Sequence, residues 1–275
     1  MGLGIALVQQ GKSADGCALM LDALATFETA SDRWNAMRCR MHLANTWRTL
    51  GEYATAEALA RVCLESCREV GNRDHEVWAY FQLGNIMKEQ ERYEEAAAQF
   101  VAAHERSVQA GEVGKIALAK LEFGDLALTQ GRYDEAKQYF AESLQGFERA
   151  GQTWGTALAL DRSGYLACKQ GDSAAAEDLF QRALKLALSL QLYPFATNIL
   201  AGLALLRADT GRLERAVELL ALVQHHPATE RHTLTRRVNP LLDELRERLP
   251  PDCFASAVSR GKAQRLESSA SMVAS

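Results

Sequence analysis

Glycines stand at Gly11, Gly51, Gly131, Gly171 and Gly211, spaced by forty residues or a multiple of forty, and Glu91 holds the register position between Gly51 and Gly131. The neighbouring text repeats as well: Gly51-Glu52-Tyr53, Glu91-Arg92-Tyr93, Gly131-Arg132-Tyr133. Five residues after each comes an alanine (Ala56, Ala96, Ala136, Ala176, Ala216), and four further on stand Phe100, Phe140 and Phe180. Several independent columns sharing one period mark a repeat array, in which each unit buries its apolar face against the next and no single closed core forms. A prior of two domains drawn from 275 residues therefore does not apply.

The period divides in two. A second set of glycines, Gly71, Gly111 and Gly151, lies twenty residues after the first. Between glycines the apolar residues recur at three and four, the spacing of one helical face. Two helices of about 16–18 residues, each about 25 Å long, fit one period. Glycine just past a helix end takes the left-handed conformation that stops it. The small alanine lets the two helices of a hairpin approach closely, and the aromatic four residues later is expected to fill the space between neighbouring hairpins.

Leu83-Gly84, Tyr93, Ala96, Phe100 and Ala103 resemble the Leu-Gly, Tyr, Ala, Phe, Ala pattern of the tetratricopeptide repeat, in a variant with forty residues rather than the usual 34. The resemblance implies an all-α, right-handed superhelical solenoid of helical hairpins with a C-terminal capping helix. It covers residues 1–228: a partial repeat 1–31, then repeats 32–71, 72–111, 112–151, 152–191 and 192–228. Gly4 falls in the column of Ala44, Gly84, Gly124, Gly164 and Ala204, so most of the first helix of repeat 1 is missing. Two readings stand: a polypeptide that continues upstream, or a short, frayed first helix over residues 1–10.

After Val223 the pattern changes. His225-His226-Pro227 stops the sixth repeat. Leu234, Val238, Leu241, Leu242, Leu245 and Leu249 form the apolar side of a cap spanning residues 229–261, and Gly261 is expected to end its last helix. Residues 262–275 read as a mobile tail, with Ser268 to Ser275 small and polar. The ending, with Leu249-Pro-Pro-Asp and Ser259-Arg-Gly-Lys, resembles the C-terminus of the repeat region in bacterial STAND regulators of the maltose-activator class. That resemblance implies a sensor or interaction region of a signalling ATPase or transcriptional regulator. The alternative is a free-standing adaptor that assembles a complex.

Composition narrows the function. No apolar run reaches the ~18 residues of a membrane span. A net charge of −4 without a basic block disfavours unaided nucleic-acid binding. The N-terminus, Met-Gly-Leu-Gly-Ile-Ala, lacks the basic start of a signal peptide, and six cysteines in a chain this long are not a disulfide scaffold, so a reducing cytoplasm is expected. No nucleophile elbow, metal-protease helix or dinucleotide fingerprint is present. Gly111-Glu-Val-Gly114-Lys115 has the wrong spacing for a phosphate loop. His225, His226, His232 and Cys253 lack zinc spacing. Cys63 falls where Ala103 and Ala183 fall and reads as a small core residue. No catalysis, cofactor or metal is expected.

A protein or peptide ligand is expected instead, held on the first helix of each hairpin, which lines the concave surface in the resembled family. The register places Arg38, Met41, Asn45 and Arg48 there, then Trp78, Phe81, Asn85 and Lys88, then Leu118, Leu121, Asp125 and Leu128, then Leu158, Asp161, Tyr165 and Lys169, and last Asn198, Leu205 and Asp209. Asn45, Asn85 and Asp125 share one column. An amide both donates and accepts, so it can clamp a peptide backbone, or it can bond neighbouring helices or water. Arg38, Arg48 and Lys88 can hold carboxylates, which predicts an acidic ligand segment near repeats 2 and 3. Trp78 and Phe81 either form an anchor pocket or are buried against repeat 2. Trp34 and Trp154 are expected to pack on the preceding hairpin, and Trp47 to be structural.

Overall fold

The computed structural model describes residues 1–9 and 12–266; Gly11 and the tail positions from Glu267 onward lie outside the described residues, as does the side chain of His232. The described residues are helical and form no strand. They divide into two compact units, Met1–Gln130 and Gly131 onward.

The first unit runs α1 (Gly2–Gln9), α2 (Ser13–Thr29), α3 (Arg33–Thr49), α4 (Tyr53–Val70), α5 (Arg73–Glu89), α6 (Tyr93–Ala110) and α7 (Val113–Thr129). Sequential helices pack on one another, as a chain of short turns requires. The first helix is short, and it meets α2 at two glycines: a Cβ on Gly4 would lie 2.8 Å from the Gly16 carbonyl oxygen. Ile5 and Val8 pack against the Met20–Leu24–Leu43 core, while Leu3 faces solvent. Trp47 packs on that same core.

Turns recur every twenty residues, and each has one residue in the left-handed region. Seven are glycines, from Gly51 at φ 83° to Gly211 at φ 78°. The other three are Ser31, Glu91 and Gln191, with φ of 55–64°. These sit where the twenty-residue period lacks a glycine, so the turn geometry is imposed by the packing of the helices on either side rather than by local preference. Asp32, Asn72 and Asp172 cap the helices that follow, each accepting from the backbone N–H three residues on, at 3.1, 3.2 and 3.0 Å.

Inside each hairpin the alanine column is fully buried, from Ala56 to Ala216. The aromatic column meets the sequence expectation in part: Phe180 reaches the next hairpin, but both rings also dock inside their own. Phe100 packs on Gly84 within its own hairpin, and Phe180 packs on Gly164 of its own hairpin as well as Gly202 of the next. The glycine of the Leu-Gly pair thus provides the socket for the ring, and the alanine allows the close approach that brings the ring there.

The second unit contains α8 (Tyr133–Arg149), α9 (Thr153–Lys169), α10 (Ser173–Ser189), α11 (Tyr193–Asp209) and α12 (Leu213–His225). A short α13 (Arg231–Thr233), a π-helical turn (Leu234–Val238), α14 (Asn239–Arg248) and α15 (Pro251–Ala263) follow. Val238, Leu242 and Leu245 are buried against the α11–α12 core. Gly261 does not end α15, which continues to Ala263. Its missing side chain serves packing instead: a Cβ there would lie 2.3 Å from the Glu218 carbonyl oxygen of α12. Arg260 beside it ion-pairs with Glu218, and with Glu214 at 2.7 Å, which fixes α15 along α12.

Candidate peptide-binding face

In the first unit the first helices α3, α5 and α7 carry the predicted stripe. Arg38 and Asn45 are exposed, while Met41 and Arg48 are half-buried. On α5, Trp78, Asn85 and Lys88 are half-buried. Phe81 is only 2% exposed and lies 6.4 Å from the Phe100 ring, so it belongs to the core and not to an anchor pocket. Leu118 and Leu121 on α7 are buried too. The stripe is therefore turned from its expected position: Phe81 and Leu121 point inward, while Met41 at the head of their column stays half-buried.

The column one residue later carries polar groups that tie the helices together. Gln82 donates to the Met41 carbonyl at 2.8 Å. Glu122 pairs with Lys88, which also reaches Asp125 at 3.1 Å. Arg48 pairs with Glu89 and donates to the Asn45 side-chain carbonyl at 3.1 Å. Sequence reasoning missed Gln82, Glu89 and Glu122. The signal was present in His42, Gln82, Glu122 and Arg162, a polar column beside a mostly apolar one.

These contacts redistribute the expected roles. Arg48 and Lys88 already hold carboxylates of this chain, so two of the three cations expected to meet an acidic ligand segment are engaged from within. Among the described residues Arg38 forms no salt bridge; its charge, after burial, helps depress the pKa of His42. In the amide column, Asp125 is ion-paired and Asn45 accepts from Arg48, whereas the half-buried Asn85 makes no hydrogen bond among the described residues. The Lys115 ammonium sits 5.9 Å from the centre of the Trp78 ring and pairs with Asp74 and Glu112. Among the described residues, the accessible face of this unit thus combines the Arg38 guanidinium, the Asn85 amide and the half-buried Trp78 indole.

The second unit presents a different surface. Asp161 is fully buried beside Arg162, 2.9 Å away, and so is not on the accessible stripe. Tyr165 is covered from within: the Arg237 guanidinium lies 4.1 Å from its ring centre and donates to its hydroxyl. Burial pushes the Tyr165 phenol pKa up. Asn198 and Leu205 are half-buried and Asp209 exposed.

The remaining candidates are structural. Cys63 and Cys67 are buried with their sulfurs 4.0 Å apart, and Cys67 touches the Met37 sulfur; the Cys67 contact and burial hold the Cys63 thiol pKa up. His225 Nδ1 lies 3.1 Å from the Ala221 carbonyl, and His226 Nδ1 accepts from the Ala228 N–H at 3.2 Å, so both shape the turn after α12. Among the described residues no group of three or more His, Cys, Asp or Glu is placed to hold a metal ion, and no helix is long and apolar enough to cross a membrane. Trp154 packs on the preceding hairpin through Phe147, 5.5 Å away, as expected. Trp34 instead turns toward the following hairpin and meets His75 edge-on at 4.8 Å.

A family model described as tetratricopeptide repeat matches residues 35–107 and 115–189, and a second of the same description matches residues 162–228. No curated protein sequence matches the chain. Among solved structures, a Rap protein complexed with competence and sporulation factor is similar with a TM-score of 0.71 at 17% identity, over 98% of this chain and 74% of that one. BtubC (BKLC) from P. vanneervenii gives 0.58 at 19% identity, over 77% of this chain and 89% of that one. A signal transduction ATPase with numerous domains (STAND) from Pyrococcus horikoshii, with a tetratricopeptide repeat sensor, gives 0.53 at 18% identity. The match takes in 99% of this chain but only 40% of that protein. At these identities the likeness is one of fold.

Proposed function

Because the chain belongs to the tetratricopeptide repeat family, we propose that it is a protein-interaction module that holds an extended peptide on the α3–α5–α7 face of its first unit. The observation that carries this reading is Asn85. It is half-buried on the first-helix face, its amide makes no hydrogen bond among the described residues, and the ionic groups around it pair with one another. An amide in that state offers one donor and one acceptor to a backbone without reading its side chains. Arg38 supplies a charge contact, and Trp78 an apolar one.

The biological setting we propose is the sensor region of a signalling ATPase or transcriptional regulator, in which ligand binding biases a switch elsewhere in the polypeptide. Two similarities support it: the C-terminal sequence pattern, and the fold shared with a STAND protein that carries such a sensor. A Rap protein of the same fold is complexed with a signalling factor.

The test uses twelve-residue peptides selected from a random displayed library on the full chain. Replacing Asn45 and Asn85 together by Ala should weaken the selected peptides at least tenfold, about 1.4 kcal/mol. Unchanged affinity with intact helicity contradicts the reading.

A further inference from the structure

The corner where a first helix begins, beside the last turns of the second helices on either side, is closed by an aromatic ring in two places. In the repeat of α5, Tyr80 fills it: the ring is buried, its hydroxyl accepts from Arg68 at 2.6 Å and lies 3.4 Å from Glu76, and Arg106 closes over Glu76 at 3.6 Å. At the start of α9, Trp154 packs on Phe147. Forty residues before Tyr80, in the repeat of α3, the same corner is unfilled. Arg40 stands in place of Tyr80, Ala36 in place of Glu76 and Ser66 in place of Arg106. Trp34, the counterpart of Trp154, has turned away to His75.

These replacements leave a cavity of about 360 Å³ lined by Phe27, Trp34, Ala36, Met37, Arg40 and Val70. That volume lies at the lower end of the roughly 300–1,000 Å³ of small-ligand sites. Its lining is mixed: beside these apolar side chains stand Glu28, Asp32, Arg33, Ser66 and Glu69, and the Arg40 guanidinium meets Glu28 at 2.6 Å. Arg40 and Glu28 thus offer a donor and an acceptor, as Arg68 and Glu76 do to the Tyr80 hydroxyl.

We propose that this cavity is a binding site for a single phenol ring, which enters where the next repeat places its own tyrosine and sets its hydroxyl against Arg40 and Glu28. A bound phenol needs such a partner for its O–H, and the apolar part of the wall, Phe27, Trp34, Met37 and Val70, takes the ring. The site is separate from the peptide face and does not depend on it.

The experiment titrates p-cresol, N-acetyltyrosinamide and toluene against the full chain by saturation-transfer NMR. Wild type should bind p-cresol saturably and toluene at least tenfold more weakly. Arg40→Tyr copies the neighbouring repeat, fills the cavity from within and should abolish p-cresol binding. Ala36→Leu, a smaller filling change, should weaken it as well. Binding of N-acetyltyrosinamide alongside p-cresol identifies the guest as a tyrosine side chain, and binding of p-cresol alone identifies it as a free phenolic compound; either supports the site. Absence of saturable p-cresol binding, equal binding of toluene, or binding unchanged by both substitutions overturns it.

Discussion

The ring of Phe100 occupies the space that any side chain at position 84 would need: a Cβ on Gly84 would lie 2.4 Å from its Cε1 atom. The ring is fully buried, with Phe81 on one side and the Lys88 ammonium 5.7 Å from its centre. Core density leaves it nowhere to retreat. Gly84→Ala should therefore destabilise the first unit by about 1–3 kcal/mol, the usual penalty of overpacking. Adding Phe100→Leu to Gly84→Ala should recover part of the loss. Urea denaturation of wild type, the two single variants and the double variant measures both, and additive losses would contradict the socket.

The left-handed turns predict opposite signs at equivalent positions. Glu91 and Gln191 adopt φ of 64° and 56°. Converting either to Gly should stabilise the fold, and converting Gly111 to Ala should destabilise it, each by about 1 kcal/mol. Shifts in the denaturation midpoint check the pair, and a loss of stability in Glu91→Gly would be the opposite of the expectation.

Burial lowers the pKa of His42, His75 and His104 below the ordinary histidine value. The unfolded chain takes up protons near pH 6.5 that the folded imidazoles refuse. Stability from these groups is therefore present above about pH 6.5 and lost as the pH falls below it. Between pH 7.5 and 5.5 the melting temperature should fall, before carboxylates such as Glu57 and Glu177, whose pKa values lie below the usual range, begin to protonate. His42→Gln puts in the residue that the next repeat carries at position 82, and should shrink the fall. A pH-independent melting temperature in wild type would count against the assignment.

The glycine in α15 makes a local prediction. Gly261→Ala sets a methyl group against the Glu218 carbonyl and the Ala221 side chain. Hydrogen exchange should then show α15 unprotected while the amides of α9–α11 keep their protection, because repeat arrays transmit stability mainly between neighbours. Unchanged protection in α15 would mean that the helix does not need that approach.

The period, the helix boundaries and the turn positions were all legible in the sequence, because each depends on a short-range rule repeated many times. The alanine column and the seven turn glycines follow from spacing alone, whereas the Gly84 and Gly164 sockets emerge only from the packing of the Phe100 and Phe180 rings. The rotation of each helix about its axis was harder to read. Met41, Phe81 and Leu121 lie one residue from His42, Gln82 and Glu122, and about 100° of helical rotation decides which column faces a neighbour. A stripe anchored on Asn45 and Asn85 rather than on the polar column puts Leu121 on the surface and leaves Phe81 open between an anchor pocket and the core. Pairings across helices, such as Arg48 with Glu89 and Arg237 with Tyr165, span 41 and 72 residues, and no local spacing announces them. Gly261 was misread for a related reason: a glycine near a helix end suggests a stop, and only the approach of α12 reveals that the missing side chain makes room.

The central claim is that ligand lies on the α3–α5–α7 face. The most direct measurement is photo-crosslinking of a library-selected peptide, carrying one benzoylphenylalanine at successive positions, to the full chain, with mass spectrometry of the labelled sites. The account predicts labels at Met41, Trp78 and their neighbours on α3 and α5. Labels confined to the second helices α4 and α6, or to residues after Gly131, would contradict it.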